Sequence, residues 1–176
     1  MSFSEFLNSR REPARALVAE LKTSYDYVSV LGVPSDDDAK GSTVTDGIET
    51  KELDEFTFGP TNGHIDAMWI HFYDMVSSAN YAIESMAKFE EALSDEGALK
   101  KVAECRGEAK VIRAYAYFNL VRLFGNVPII DKVMTADELA KVKQATPEQT
   151  KPSTRPFLKS LIRKEKSPAL QCLPFS

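Results

Sequence analysis

Two long segments of the chain carry apolar residues at steps of three and four, the spacing of a single buried helix face. The first segment runs from Asp66 to Leu93, with apolar positions at Trp69, Phe72, Tyr73, Val76, Ala79, Ile83, Met86 and Ala87. The second runs from about Ala98 to Phe124, polar on one side at first and then apolar or aromatic almost all round. The pattern predicts two long helices, the second of which enters a packed interior in its later half.

The ends of the second helix also carry sequence signals. Ser94 or Asp95 can cap its N-terminus, because a short polar side chain accepts a hydrogen bond from a backbone N–H of the first turn. Gly125 fits the position just after the last helical residue, and Pro128 follows closely. We therefore expect this helix to end at Phe124.

The N-terminal third of the chain shows less regular patterning. Residues 1–27 favour a helix that Pro13 breaks or restarts. Residues 31–63 are rich in Gly, Pro, Asp and Asn, and such residues favour turns. The composition predicts a long loop in this region, and a loop of this length is a candidate for function.

Two capping signals follow the second long helix. Thr135 to Glu138 matches a capping box and predicts a short helix through Lys143. Thr146 to Gln149 matches a second one, with a proline at the first helical position. However, Pro152 and Pro156 fall within the first turns after this second signal, so we expect no helix there.

The fold class predicted from these elements is all-α. Alternation typical of strands is limited to the short runs 55–58 and 127–130. The chain divides into a helical region, residues 1–150, and a basic, proline-rich tail, residues 151–176. The tail carries six basic residues against Glu165 alone, a net charge of +5, which leaves −9 on residues 1–150.

The composition excludes several functional classes. The 22 Lys and Arg against 26 Asp and Glu give a net charge of −4, which argues against a nucleic-acid partner. No apolar run approaches the roughly 20 residues of a membrane-spanning helix, and the first residues lack the pattern of an export signal. Two cysteines, Cys105 and Cys172, and two histidines, His64 and His71, give little basis for disulfides or a zinc site. We expect no metal and no cofactor.

Two blocks of residues resemble the N-terminal signature of the SusD/RagB family. The more specific block is Glu-Ala-x-x-x-Arg-Ala-Tyr-x-Tyr-Phe-x-Leu-Val-x-x-Phe-Gly-x-Val-Pro, residues 108–128. Trp69, Tyr73 and Asn80 form the supporting block at the expected distance upstream. The two blocks cover roughly residues 66–131, and the loop with residues 36–63 is similar to the family's first extended loop.

The resemblance implies a tetratricopeptide-like helical scaffold from an outer-membrane lipoprotein on the bacterial cell surface. Such proteins bind glycans, act as a lid on a SusC-like TonB-dependent transporter and are not enzymes. Family members are much longer and carry a lipid-bearing cysteine near the N-terminus, so the resemblance implies that this chain corresponds to an N-terminal portion. Since the tail does not continue the family pattern, we expect residues 151–176 to have a different origin.

Five residues are candidates for ligand binding. Asp36, Asp38 and Asn62 can hydrogen-bond sugar hydroxyl groups, and Phe58 can stack on a sugar ring. Trp69 can stack likewise, although its position in the apolar stripe favours packing in the core. Residues 36–41 partly match a calcium-binding loop, but the fifth and twelfth positions do not fit.

Other residues favour structural roles. Tyr115 and Tyr117 are expected in the core, and Arg113 among apolar neighbours needs a carboxylate or carbonyl acceptors, with Glu108 or Asp131 as candidates. Catalytic motifs are not found, so we predict no catalytic residues. The alternative function is a tetratricopeptide-like scaffold that binds proteins and no glycan, although the chain shows no repeat of 34 residues.

Overall fold

The computed structural model describes residues 24–41, 43 and 45–150. These residues form helices α1 (Ser24–Leu31), α2 (Ile48–Asp54), α3 (Gly63–Glu91), α4 (Glu96–Phe124), α5 (Ala136–Leu139) and α6 (Pro147–Thr150). A helix was expected over residues 1–27, and residues 1–23 of it lie outside the described part. Helix α1 begins at Ser24 and continues beyond residue 27 to Leu31. The tail, residues 151–176, also lies outside it.

The described residues contain no strand, so the prediction of an all-α fold is confirmed. The short runs 55–58 and 127–130, which alternate like strands, are irregular instead. Within the described part, the chain divides into two compact units between Tyr73 and Asp74, inside α3. We call residues 24–73 the loop unit and residues 74–150 the helix-pair unit.

The helix-pair unit is built on the packing of α3 against α4. Ala82 and Met86 of α3 are buried in one cluster with Val102, Cys105 and Ala109 of α4. Early residues of one helix pack with late residues of the other, so the two helices are antiparallel, as expected for a connection of four residues. Asp95 caps α4 by accepting a hydrogen bond from the Ala98 N–H at 2.7 Å. Both long helices predicted from the apolar pattern are thereby confirmed.

A buried polar network holds the segment after α4 against the two long helices. Tyr117 Oη donates to the Ile130 carbonyl at 3.0 Å and accepts from the Ile130 N–H at 2.6 Å. Asn80 Nδ2 donates to the same carbonyl at 2.9 Å. Arg113 donates to Asn80 Oδ1 at 2.7 Å and to the Asp131 carbonyl at 3.0 Å. Asp131 is one of the two partners expected for Arg113, whereas Glu108 is exposed.

The later half of α4 is less completely buried than its composition suggests. Tyr117 is fully buried as expected, but Tyr115 is 39% exposed, so its placement in the core was wrong. Val111 and Phe118 are exposed on the same helix. Residues spaced by three and four lie on one face, so α4 keeps an apolar stripe at the surface of the chain.

The stop signal after α4 works as predicted. The Gly125 N–H donates to the Val121 carbonyl at 3.0 Å, and its φ of +74° is a conformation that residues with a side chain rarely adopt. Thr135 and Glu138 form the predicted capping box, but α5 ends at Leu139 and not at Lys143. Since α5 has no buried residue, no core contact stabilises further turns.

The second capping signal, Thr146 to Gln149, does start a short helix. Gln149 Oε1 accepts from the Thr146 N–H at 2.8 Å, and one helical turn, α6, follows. Thr150 in this turn is buried and donates to Asn126 Oδ1 at 2.8 Å. The expectation that no helix would form here was therefore wrong by one turn, because a tertiary contact stabilises it.

The loop unit contains a helix that the sequence did not indicate. Residues 31–63 were expected to be a loop throughout, but α2 lies in their middle and buries Leu53. Asn62, also buried, connects α2 to the start of α3: its Nδ2 donates to the Glu49 carbonyl at 2.9 Å and to Glu52 Oε2 at 3.0 Å.

In the part of the chain that the structure covers, no helix has the length and apolar character needed to cross a membrane.

Candidate ligand-binding site

The loop unit contains a cavity of about 360 Å³ that is open to solvent. This volume lies within the range of small-molecule sites, roughly 300–1,000 Å³. Three segments contribute to its wall, namely α1, the loop that follows α1, and the start of α2. The lining residues are Tyr25, Val28, Ser29, Val33, Asp38, Ala39, Lys40, Gly41, Asp46, Gly47 and Thr50.

Tyr25 presents an aromatic ring at the cavity. The side chain belongs to the first turn of α1 and is 66% exposed. Its ring meets His64 edge to face, with ring centroids 5.4 Å apart and planes inclined by 64°. Because one part of the ring packs on the imidazole while the rest is open, Tyr25 offers a positioned apolar surface to a ligand.

His64 joins the three helices of the loop unit. Its ring is buried, and Nδ1 donates to Asp26 Oδ1 of α1 at 2.7 Å. Nε2 lies 3.1 Å from the hydroxyl oxygen of Thr50 on α2, and in the neutral imidazole this nitrogen accepts from the hydroxyl. Since His64 is itself on α3, this carboxylate–imidazole–hydroxyl chain fixes two cavity-lining helices to a third. This series of hydrogen bonds joins Thr50 to Asp26, the residue next to Tyr25. It therefore fixes the positions of Thr50 and Tyr25 in the cavity wall.

The loop after α1 is held by its own hydrogen bonds. The Lys40 ammonium group donates to the carbonyls of Thr43 at 2.7 Å and Gly41 at 3.3 Å, and the Lys40 N–H donates to Asp54 Oδ2 at 3.3 Å. Asp38 Oδ2 lies so close to Gly32 that a Cβ there would approach it to 2.6 Å. A glycine is therefore required at position 32 for Asp38 to take this place.

The five candidates from the sequence lie at different places in the loop unit. Only Asp38 lines the cavity. Asp36 and Phe58 are exposed in loops, and Trp69 is half-buried with its ring centroid 4.8 Å from that of Tyr73. Asn62 is buried with both of the hydrogen bonds of its Nδ2 inside the unit. The structure thus does not gather the five around one cavity, and their ligand contacts stay predictions.

Several cavity residues were not singled out from the sequence. Tyr25 lies in a helix whose apolar pattern gave no sign of a surface role, and Lys40, Asp46 and Thr50 lie within the region expected to be loop. The pairing of His64 with Asp26 spans 38 positions, so no local spacing in the sequence indicates it. The dense polar composition of residues 36–50 was the available signal, but it does not say which side chains converge.

The acidic run at residues 36–38 only partly matches a calcium loop in sequence. Its three aspartates are exposed, and Asp38 is directed toward Gly32. Among the residues that the structure describes, no group of three or more histidine, cysteine, aspartate or glutamate side chains is arranged to hold a metal ion.

Comparison with known proteins identifies the family of this chain. Residues 21–160 match the family model SusD-like_3, described as "Starch-binding associating with outer membrane". Because the match covers most of the chain, the protein belongs to the SusD-like family. The resemblance drawn from residues 108–128 is thereby confirmed. The match runs past residue 150, while the separate origin of the tail stays a prediction.

Individual relatives agree with the family. The chain is 37% identical to SusD-like protein P2 of Formosa agariphila over 99 residues, which is 56% of this chain and 18% of that protein. A solved structure titled "Laminarin binding SusD-like protein" matches with a TM-score of 0.67 and 28% identity, over 86% of this chain and 32% of that one. The chain therefore spans about a fifth to a third of the length of these relatives.

Proposed function

We propose that this chain is the glycan-binding N-terminal part of a cell-surface nutrient receptor. The observation that carries the proposal is the family match over residues 21–160, whose description names starch binding. The similar solved protein is titled as binding laminarin, a second polysaccharide ligand within the same fold. The cavity in the loop unit supplies a concave surface for such a ligand.

The chemistry of the cavity suits a sugar. A pyranose ring has an apolar face that packs on an aromatic ring and hydroxyl groups that hydrogen-bond carboxylates and hydroxyls. Tyr25 provides the ring, and Asp38, Asp46 and Thr50 provide the polar groups. In this proposal the exposed Phe58 and Asp36 make further contacts with a longer glycan outside the cavity.

We propose binding without catalysis. Asp26, His64 and Thr50 are connected as in a hydrolase triad, but the sequence carries no recognised nucleophile motif, and the three side chains join three helices. This arrangement favours a structural role. Incubation with a laminarin oligosaccharide should return the oligosaccharide intact by mass spectrometry, and release of shorter products would contradict the proposal.

The proposed place of action is the outer-membrane surface, with a SusC-like TonB-dependent transporter as the partner. The family description associates its members with the outer membrane, and the partner follows from the resemblance. Co-purification with a SusC-like TonB-dependent transporter would support the partnership. A transporter that elutes without the chain under conditions where a full-length SusD-like protein is retained would contradict it.

The test of glycan binding is isothermal titration with laminarin and starch oligosaccharides. We expect measurable binding, and Tyr25→Ala should weaken it about tenfold, a change of about 1.4 kcal/mol. Tyr25→Phe keeps the ring and should bind nearly as well as the unmodified chain. Tyr81→Ala, which removes an exposed tyrosine of the helix-pair unit, is the matched control and should not change affinity.

The alternative, a helical scaffold for protein partners, predicts a different result. Neither oligosaccharide would bind, and the circular dichroism spectrum of the chain would still show a folded helical protein. This outcome would reject the proposed function for the chain.

A further inference from the structure

The loop unit has an unusually one-sided charge. Residues 24–73 contain ten Asp and Glu against two Lys, a net charge of −8 over 50 residues. The whole chain has a net charge of −4, so the rest of it is positive on balance. A concave site in a strongly acidic segment carries a negative potential that repels anions before they make contact.

The cavity itself has the same sign. Asp38 and Asp46 are acidic residues of its lining, and Lys40 is the basic residue there. The Lys40 ammonium group donates to two carbonyl oxygens of its own loop, those of Thr43 and Gly41. Two of its donor directions are therefore used within the loop, which leaves it poorly arranged to form a bidentate contact with a ligand carboxylate or sulfate.

Acidic residues around the cavity add to its negative charge. Asp36 and Asp37 are exposed just before Asp38, and Asp26 lies behind the wall with its carboxylate on His64. The hydroxyl of Thr50 contacts the His64 ring, so it is a neutral member of the wall. The lining thus combines two acidic residues, a threonine, an aromatic ring and one lysine whose ammonium group is hydrogen-bonded within its own loop, so the net charge of the lining is negative.

We infer that this cavity takes uncharged glycan chains and excludes glycans that carry carboxylate or sulfate groups. The inference rests on the proposed function and narrows its ligand class. Neutral hydroxyl groups donate hydrogen bonds to Asp38 and Asp46 at no electrostatic cost, whereas each uronate or sulfate brings a like charge within a few ångströms of them. The exclusion is electrostatic, so it must weaken as salt screens the field.

The experiment compares two oligosaccharides of equal length with the full 176-residue chain. The neutral probe is laminarihexaose, and the anionic probe is hexagalacturonic acid. At low ionic strength we expect the anionic probe to bind at least about tenfold more weakly. The ratio of the two affinities should fall toward one as sodium chloride is raised to about 0.5 M, where the Debye length is only a few ångströms.

A double variant locates the effect in the cavity. Asp38→Asn with Asp46→Asn keeps polar groups at both positions and removes two charges, so the ratio of the affinity for the neutral probe to that for the anionic probe should fall about tenfold. Glu104→Gln with Glu108→Gln removes the same charge from exposed positions on α4 and serves as the matched control. Circular dichroism shows whether each variant is folded.

Each outcome separates the inference from the proposed function. If neither probe nor a starch oligosaccharide binds, the proposed function fails and the inference fails with it. If both probes bind the unmodified chain equally at low salt, glycan binding stands and the charge selection is wrong. If the control variant relaxes the selection as much as the cavity variant, the selection does not come from this cavity, and the inference is overturned.

Discussion

Tyr117 satisfies both backbone groups of a single residue with one hydroxyl. The hydroxyl donates to the Ile130 carbonyl and accepts from the Ile130 N–H, and the side chain is fully buried. Burial raises the pKa of Tyr117 to about 12, because the phenolate would lose its hydration. Burial likewise lowers the pKa of the neighbouring Arg113, and both groups keep the protonation states that the network needs at neutral pH.

The first prediction concerns this hydroxyl. Tyr117→Phe should lower the free energy of unfolding by about 1–3 kcal/mol, since the partly buried Ile130 N–H loses its acceptor. Urea denaturation measures the change, and Tyr81→Phe at an exposed position is the control, with an expected change within about 0.5 kcal/mol. Equal stability of the two variants would show that the Tyr117 hydroxyl contributes nothing.

The same group makes stability depend on alkaline pH. Since the folded pKa is about 12 and the ordinary value 10.0, the folded chain holds the phenolic proton more tightly than the unfolded chain. The contribution of this proton is complete below pH 10 and disappears as the pH rises through 12. The ultraviolet titration of the unmodified chain should therefore show one late phenol transition that Tyr117→Phe lacks.

At the scale of elements, the two long helices and the start of α5 were predictable, whereas α2 and α6 were not. The apolar stripes of α3 and α4 extend over many turns, so both elements follow from the sequence, as does the end of α4 at Phe124. In α2 only Ile48 and Leu53 are apolar, and Gly47 precedes the helix in a left-handed conformation with no side-chain cap. Neither an apolar periodicity nor a capping residue predicts α2. Hydrogen bonds from Asn62 to Glu49 and Glu52 help to stabilise it.

The cavity was beyond sequence analysis for a related reason. Its wall is assembled from three consecutive segments within residues 25–50, but the link that positions them joins Asp26 to His64, outside that stretch. Residue types suggested the acidic loop, and Asp38 does line the cavity. The partner of a side chain 38 positions away depends on how the helices pack, and that information is not local.

The second prediction concerns the capping box of α5. Hydrogen bonds from the Thr135 N–H, then from the Lys132 ammonium group, lower the pKa of Glu138 to about 2 from 4.5. Because the folded pKa is depressed, the contribution of this carboxylate is present above pH 4.5 and is lost as the pH falls through 2. Glu138→Gln should therefore increase amide hydrogen exchange in α5 at about pH 6, well above both pKa values. The effect should be small, since the group is exposed.

The control for this prediction is pH itself. The exchange rates of the Glu138→Gln variant and the unmodified chain, each corrected for the intrinsic rate, should converge below about pH 2. Asp137→Asn removes a charge at the neighbouring exposed position, so it serves as the matched substitution and should leave α5 unchanged. A persistent difference at low pH would mean that the charge of Glu138 is not the cause.

For the whole molecule, the apolar stripe of α4 has a consequence in solution. Val111, Tyr115 and Phe118 are between 36% and 48% exposed at spacings of four and three, which places them on one face. The chain spans at most a third of its relatives, and contiguous exposed apolar surface favours association. The third prediction is therefore that the chain self-associates as its concentration rises.

Light scattering over a range of concentrations measures this association. Val111→Glu combined with Phe118→Lys changes two positions of the stripe without changing net charge, and it should reduce the mean mass at high concentration. Ile48→Lys, at an exposed position in the loop unit, is the control and should have little effect. A single monomeric mass for the unmodified chain at every concentration would contradict the prediction.

The double hydrogen bond at Ile130 also bears on how such copies can meet. Segment 127–130 is apolar and irregular, and a stretch of this kind with open backbone groups would be a template for intermolecular β-sheet. At Ile130 both groups are already occupied by the Tyr117 hydroxyl. Association of copies should accordingly leave the backbone of Ile130 out of any intermolecular β-sheet.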